Sequence, residues 1–155
     1  LLNQVIKDIE SYRRDEGKAL EKDFLKRIDL IEGHLTSVIK IDPERSDKIE
    51  QKLRSALDDL KIEVDTNRFE QELIFYLEKF DITEEKVRLK NHLDYFKEVM
   101  KNDFPNGKKL GFIAQEMGRE INTIGSKANH AELQKVVVQM KDELEKIKEQ
   151  LLNVL

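Results

Sequence analysis

Hydrophobic residues recur every three or four positions along most of this chain, which is the spacing of one face of an α-helix. The most regular run lies near the end of the sequence, where the spacings alternate between four and three as in a coiled-coil seam. Its members are Leu133, Val137, Met140, Leu144, Ile147, Leu151 and Val154. No segment alternates hydrophobic and polar residues with the period expected of a strand. The pattern predicts an all-α fold, a helical bundle of long antiparallel hairpins with coiled-coil-like seams.

The first half of the chain is predicted to contain three helices. The first is expected to end at Asp42, because Asp42 can cap and Pro43 favours the first turn of a new helix. A second helix then continues to Val64 and folds back on the first as an antiparallel hairpin. Asp65 or Thr66 is expected to cap the third helix.

Three further helices are predicted in residues 81–155, each from a start signal and a hydrophobic stripe. Thr83 is expected to cap the first of them. The loop around Pro105 precedes the second. Asn129 and Glu132 have the spacing of a capping box for the last.

The helix predicted over residues 107–127 carries an unusually specific polar set, in the stretch "GKKLGFIAQEMGREINTIGSK". Glu116 and Glu120 lie one turn apart, where two like charges repel by a few tenths of a kcal/mol. Ordinary ion pairs with Arg119 and Lys127 would relieve this repulsion. Alternatively the two carboxylates share a divalent cation, for which hard oxygen ligands suit Mg²⁺ or Mn²⁺. Spacing alone leaves both interpretations open.

Three glycines repeat every seven residues in the same helix, at positions 111, 118 and 125. Each costs helix stability relative to alanine by roughly 1 kcal/mol. Because this spacing places them near one line along the helix, we expect contact there in place of water, with another backbone approaching closely.

A second polar pattern lies on the helix before it. Glu85, Arg88 and His92 follow one another at i, i+3 and i+7 and so share one face. If this helix packs against residues 107–127, a histidine and carboxylates converge between the two, as in metal sites of helical bundles. A solvent-exposed face without a ligand remains the alternative.

The amino-acid composition limits the kinds of partner that this chain can bind. The chain has 32 acidic and 28 basic residues, so a polyanion would have to meet a local basic patch. Cysteine is absent, which excludes disulfide and thiolate chemistry and fits a cytoplasmic protein. No hydrophobic run approaches the roughly 18 residues that cross a bilayer, and no signal-peptide pattern is present. Because the sequence starts at Leu1, directly in a helical pattern, we expect a fragment of a longer protein.

Three stretches resemble the carboxy-terminal region of the YicC/YloC family of bacterial proteins. They are "DITEEKVRLKNHL", "GKKLGFIAQEMGREINTIGSKANHAELQ" and "VVVQMKDELEKIKEQLLNV", and the run "QEMGREINTIGSK" is the most specific. The resemblance runs from about Asp81 to Val154, and residues 1–80 are similar to the end of the family's larger amino-terminal region. We therefore divide the chain into a helical hairpin region, residues 1–80, and a carboxy-terminal helical domain, residues 81–155.

The resemblance implies a cytoplasmic, metal-dependent endoribonuclease that acts on RNA as a homo-oligomer, with a homohexamer expected. Carried over position by position, it implies three groups of site residues. The catalytic group is His92, Glu116 and Glu120, the metal ligands are Glu85, Glu116 and Glu120, and the RNA-binding group is Arg88, Lys109, Gln115, Arg119, Asn122 and Lys127. The expected cofactor is Mn²⁺ or Mg²⁺, and neither DNA nor a membrane is an expected partner. Gly111 stands where many members have an acidic residue, which argues against an indispensable ligand at that position.

A non-catalytic function is the alternative. In this hypothesis the chain is a helical oligomerisation or RNA-clamping module of a stress-induced protein, and any chemistry lies elsewhere. The acidic balance and the coiled-coil seams favour it, because seams form oligomers without a catalytic site.

Overall fold

The computed structural model describes residues 1–59, 63 and 65–154 and consists of helices, with no strand in those residues. The helices are α1 (Leu2–Asp59), α2 (Thr66–Phe80), α3 (Thr83–Asn102), α4 (Gly107–Lys127) and α5 (Ala131–Leu151). The predicted all-α class is confirmed. None of these helices combines the length and the hydrophobicity needed to cross a membrane, as judged over the described residues.

Four helices pack in a ring in the order α1, α3, α4 and α5, while α2 lies outside it. Cross-helix contacts show that α4 and α5 run antiparallel. The end of α4 meets the start of α5, since a β-carbon at Gly125 would lie 3.1 Å from Val137. The start of α4 meets the residues after α5, since a β-carbon at Gly107 would lie 3.4 Å from Val154. The coiled-coil-like antiparallel packing expected from the four-three spacings is therefore present between α4 and α5.

The core is built from the predicted hydrophobic stripes. Its α4 and α5 members are Leu110, Ile113, Ala114, Met117, Ile121, Ile124, Leu133, Val137, Met140, Leu144, Ile147 and Leu151, all of them buried. From α1 it takes the stripe between Phe24 and Val38, and the Phe24 ring meets the edge of Phe96 of α3 at a centroid distance of 6.0 Å. Burying each large aliphatic side chain contributes about 1.5–3 kcal/mol. Residues on both sides of position 80 thus share one core.

The predicted hairpin turn at Asp42 and Pro43 is wrong, because α1 continues through Pro43 to Asp59. Proline lacks the N–H that the preceding turn would use, and inside a helix it ordinarily costs about 3 kcal/mol. Contacts of α1 with other helices, before and after Pro43, hold it in place despite this cost. Leu60 and Val64, which were predicted to belong to a second helix, lie outside the described residues.

The main contact at this point is a buried ion cluster rather than a helix cap. The Asp42 carboxylate accepts hydrogen bonds from Arg45 at 2.9 and 2.7 Å and from Lys86 of α3 at 2.7 Å. Asp42 and Arg45 are 7% and 3% exposed. Burial raises the pKa of the Asp42 carboxyl, but the hydrogen bonds from Lys86 and Arg45 outweigh it and leave that pKa below its ordinary value. This cluster links α1 to α3 next to Pro43.

α2 begins as predicted, with the Asp65 carboxylate accepting the Asn67 N–H at 3.1 Å. It contributes only Leu73 to the buried residues of the described chain. Polar contacts attach it to α1, including a 2.6 Å hydrogen bond from Arg45 to the Phe80 carbonyl oxygen. α2 is therefore a peripheral helix.

Two predicted caps are displaced by one residue. At α3 the cap is Ile82 rather than Thr83. The Thr83 hydroxyl instead donates to the Asp81 carboxylate at 2.8 Å. At α5 the cap is His130 rather than Asn129, because the His130 Nδ1 accepts the Leu133 N–H at 3.4 Å. The ring nitrogen replaces the predicted capping box.

Candidate functional site

Two polar stripes, one on α3 and one on α4, meet where these antiparallel helices pack together. At one end the Lys127 Nζ lies 2.6 Å from the Glu85 Oε1. At the other end the Lys109 Nζ lies 5.6 Å from the centroid of the Tyr95 ring. Helical spacing places the remaining members of each stripe between these two contacts. We call the set the polar seam: Glu85, His92, Tyr95, Lys109, Glu116, Glu120 and Lys127. The predicted packing of α3 against α4 is confirmed.

Local sequence explains how α4 presents this stripe. Asn106 caps the helix by accepting the Lys109 N–H at 3.1 Å. The hydrophobic residues of α4 other than Phe112 face the core, so most of its polar residues point away from it. Gly118 and Gly125 lie against α5, where an added β-carbon would meet Leu144 at 3.3 Å and Val137 at 3.1 Å. The expected contact is present at these two glycines, although α5 approaches with side chains and not with its backbone. At Gly111 the expectation is wrong, because an added β-carbon would meet no atom of the described residues within 4 Å.

The two neighbouring glutamates of α4 have different surroundings. Glu116 is partly exposed and accepts hydrogen bonds from Arg119 at 3.3 and 3.2 Å. Glu120 is 9% exposed. Within the part of the chain that the structure describes, no hydrogen bond or salt bridge reaches it. The i,i+3 pair with Arg119 therefore relieves Glu116, as one of the two interpretations predicted, whereas none of the described residues forms such a pair with Glu120.

Lys127 joins the last turn of α4 to the first turn of α3. Besides its 2.6 Å contact with Glu85, its ammonium donates to the Asp81 carbonyl oxygen at 3.2 Å. Glu85 is 6% exposed, and its second oxygen is buried without a hydrogen-bond partner among the described residues. Lys127, predicted to bind RNA, is thus engaged in an ion pair with a buried carboxylate.

The other predicted RNA-binding residues lie on or near the surface. Gln115, Arg119 and Asn122 share the outward face of α4. Arg88 is exposed on α3 and forms an ion pair with Glu84. The structure thus brings three of them together on one helix face.

The predicted three-carboxylate metal set is not assembled within one chain. No group of three or more histidine, aspartate or glutamate side chains among residues 1–59, 63 and 65–154 is placed to hold a metal ion. Glu85 is instead paired with Lys127. Glu116 and Glu120 remain suited by chemistry, since Mg²⁺ commonly uses one or two carboxylates together with waters and substrate phosphates. A two-carboxylate arrangement therefore fits the residues present, and the larger set does not.

Phe112 was not among the residues predicted from the sequence, although it lies on the same outward face of α4 as Gln115 and Arg119. Its side chain is 65% exposed. The available signal was a hydrophobic residue on the polar side of an otherwise regular amphipathic helix.

Residues 38–155 match the family described as "Endoribonuclease YicC-like, C-terminal". The chain belongs to this family. The match covers more of the sequence than the resemblance seen from Asp81 onward. A protein named probable endoribonuclease YicC, from Clostridioides difficile (strain 630), is 38% identical over 162 residues, which cover 99% of this chain and 55% of that protein.

A second relative of the same name, from Haemophilus influenzae (strain ATCC 51907 / DSM 11121 / KW20 / Rd), is 29% identical over 152 residues. That alignment covers 98% of this chain and 53% of the relative. The chain therefore spans about half the length of these YicC relatives.

Proposed function

We propose that this chain is the helical part of a metal-dependent endoribonuclease that hydrolyses phosphodiester bonds in RNA. Membership of the YicC-like family and the names of the two relatives support the reaction class. The observation that carries the proposal is Glu120, which is only 9% exposed and lies one turn from Glu116, with no hydrogen bond or salt bridge to its carboxylate from the described residues. A carboxylate without a cationic partner is repelled by a like charge one turn away, and a divalent cation bound at the pair would remove that repulsion.

The composition of the polar seam suggests a role for each of its residues in RNA cleavage. His92 is the group that transfers a proton to or from a reacting oxygen, because imidazole exchanges protons readily near neutral pH. Arg119 neutralises phosphate charge on the exposed side of the seam. The remaining proposed RNA contacts are Arg88, Lys109, Gln115 and Asn122. Lys127 acts indirectly, since it holds α3 against α4 through Glu85.

Glu116 and Glu120 are the residues that would hold Mn²⁺ or Mg²⁺. When bound, such a cation polarises a phosphate oxygen and makes a bound water more acidic. The chain's own contribution is to place two carboxylates one helical turn apart, one of them on a residue that is only 9% exposed.

Self-association in the cytoplasm, as a homohexamer, is part of the proposal. Support comes from the start of α1, where Leu2, Val5, Ile6 and Ile9 form a helical stripe that is 46–76% exposed in the single chain. The sequence pattern assigns these residues to a hydrophobic face, so a second chain is a suitable cover. A monomer mass by light scattering at micromolar concentration would contradict it.

The decisive variant is Glu120→Gln in the full-length protein. The amide that replaces the carboxylate carries no charge, so the repulsion from Glu116 disappears and thermal stability should stay the same or rise. Mn²⁺-dependent cleavage of a labelled hairpin RNA should fall by a factor of about 100 or more, because several kcal/mol of transition-state stabilisation are lost.

Glu145→Gln is the matched control. Glu145 is on α5 and its side chain is 64% exposed, so the same chemical change should leave both melting and cleavage unaltered. If Glu120→Gln unfolds the protein while its folded fraction cleaves normally, Glu120 is structural and the proposed site is wrong.

A non-catalytic RNA clamp is the second candidate, and one observation favours it: a single chain lacks a three-ligand metal cluster among its described residues. This candidate predicts that the full-length protein binds the hairpin RNA and leaves it intact with or without Mn²⁺. Cleavage that requires Mn²⁺ and Glu120 would exclude it.

A further inference from the structure

Phe112 stands on the outward face of α4 with 65% of its side chain exposed. It lines a shallow depression with Asn106, Lys108, Lys109 and Gln115. The core of α4 is already complete without it, because the hydrophobic residues of the opposite face are all buried. The ring is therefore available to a ligand rather than needed for folding.

The residues that line the depression carry a net positive charge, in contrast to the chain as a whole. Two of the five lining residues are lysines and none is acidic, whereas the sequence has 32 acidic and 28 basic residues. Lys108 takes part in no salt bridge within the described residues. Lys109 lies over the ring of Tyr95, a second aromatic residue that is 42% exposed, and 3.9 Å from the Asp103 carboxylate.

The ring also lies in line with the proposed phosphate contacts. Phe112 and Arg119 are seven residues apart, which places them two turns and about 10.5 Å apart on the same helix face. Gln115 lies between them. The exposed side of α4 thus presents, one after another, two cations, an aromatic ring, an amide and a guanidinium. Proteins hold single-stranded nucleic acids by stacking bases on aromatic rings and placing phosphates on flanking cations.

We propose that Phe112 is a base-stacking residue that receives an unpaired RNA base, with Lys108 and Lys109 on the adjacent phosphates. The inference rests on the proposed function and narrows its substrate to RNA with unpaired nucleotides. A base pair inside a helix shows its face only to its stacked neighbours, so a ring on a protein surface can reach that face only where the base is unpaired.

The experiment measures the affinity of the full-length protein for two fluorescent oligonucleotides in EDTA, where cleavage is suppressed. One is a short oligouridine, and the other has the same ribose-phosphate backbone without bases. Phe112→Leu keeps a hydrophobic side chain but removes the aromatic face. It should weaken oligouridine binding about 5- to 100-fold and leave binding of the abasic strand unchanged. Phe112→Trp should keep the wild-type preference for oligouridine.

Phe75→Leu is the matched control, because Phe75 lies on the peripheral helix α2 with a similar exposure of 59%. It should change neither affinity. Equal losses on both oligonucleotides, an equal loss in the Phe75 variant, or a change of oligomer mass caused by Phe112→Leu would overturn the proposal. The last result would assign Phe112 to a contact between chains.

The two proposals fail in different ways. If the wild-type protein binds neither oligonucleotide and cleaves no RNA, both are wrong. If it cleaves RNA in a Glu120-dependent manner while the Phe112 variants bind oligouridine as the wild type does, only the stacking proposal is wrong.

Discussion

Lys127 and Arg119 carry the same charge on the same helix, yet their surroundings give them different roles. The Lys127 side chain is 34% exposed and pairs with the Glu85 carboxylate, whose side chain is 7% exposed. The Arg119 side chain is 72% exposed and pairs with Glu116 on its own helix. Removing one partner of a buried ion pair leaves the other charge uncompensated, whereas surface pairs contribute little.

We therefore predict that Lys127→Gln lowers the free energy of unfolding by about 1–3 kcal/mol, a range that allows for the partial exposure of Lys127. Arg119→Gln should leave stability within about 0.5 kcal/mol and weaken binding to all RNA sequences by a similar factor, because a phosphate contact does not read bases. Urea denaturation and RNA titration of both variants measure this. An equal loss of stability in the two would contradict the assignment.

The sequence showed the chemistry of individual residues and their neighbours on one helix, but not which residues of different helices pair with each other. Helical spacing alone placed Glu116 beside Glu120 and His92 on one face with Glu85. The partner of Glu85 could not be inferred, because it lies 42 residues away and depends on how far α3 and α4 are shifted along each other. The predicted metal ligands Glu85, Glu116 and Glu120 suit one another chemically but do not meet in one chain. Whether they meet also depends on how far α3 and α4 are shifted along each other.

At the scale of elements, the three helices of the second half follow the hydrophobic pattern closely because their stripes are regular and face one core. α1 does not follow the local signal at Pro43. A proline after a capping aspartate ordinarily marks a new helix, but here Asp42 is bound by Lys86, 44 residues away in the sequence. Local propensity cannot anticipate a contact that exists only after α3 has packed.

The glycines of α4 give a prediction at this scale. A β-carbon at Gly111 would have no neighbour within 4 Å, so Gly111→Ala should raise the free energy of unfolding by about 1 kcal/mol through helix propensity alone. A β-carbon at Gly125 would lie 3.1 Å from a methyl group of Val137, whose branched side chain has little rotational freedom. Gly125→Ala should therefore give no gain or a loss, since overpacking costs about 1–3 kcal/mol.

Chemical denaturation of the two alanine variants under identical conditions tests this contrast. If Gly125→Ala stabilised the protein as much as Gly111→Ala does, α5 would not constrain α4 at Gly125, and this prediction would be wrong.

At the scale of the whole molecule, a four-helix ring fixes α4 between α3 and α5 and turns one polar face of α4 outward. That face carries Phe112, Gln115, Arg119 and Asn122, and its border with α3 is the polar seam. The net charge of −4 gives no general attraction for RNA, so binding has to be local. We propose that RNA lies along α4, across Glu116 and Glu120.

Ultraviolet crosslinking of the full-length protein to a thiouridine-labelled RNA, with the attachment sites located by mass spectrometry, tests where the RNA lies. We expect crosslinked peptides from residues 107–127. Crosslinks on α2 or α5 with none in residues 107–127 would contradict it.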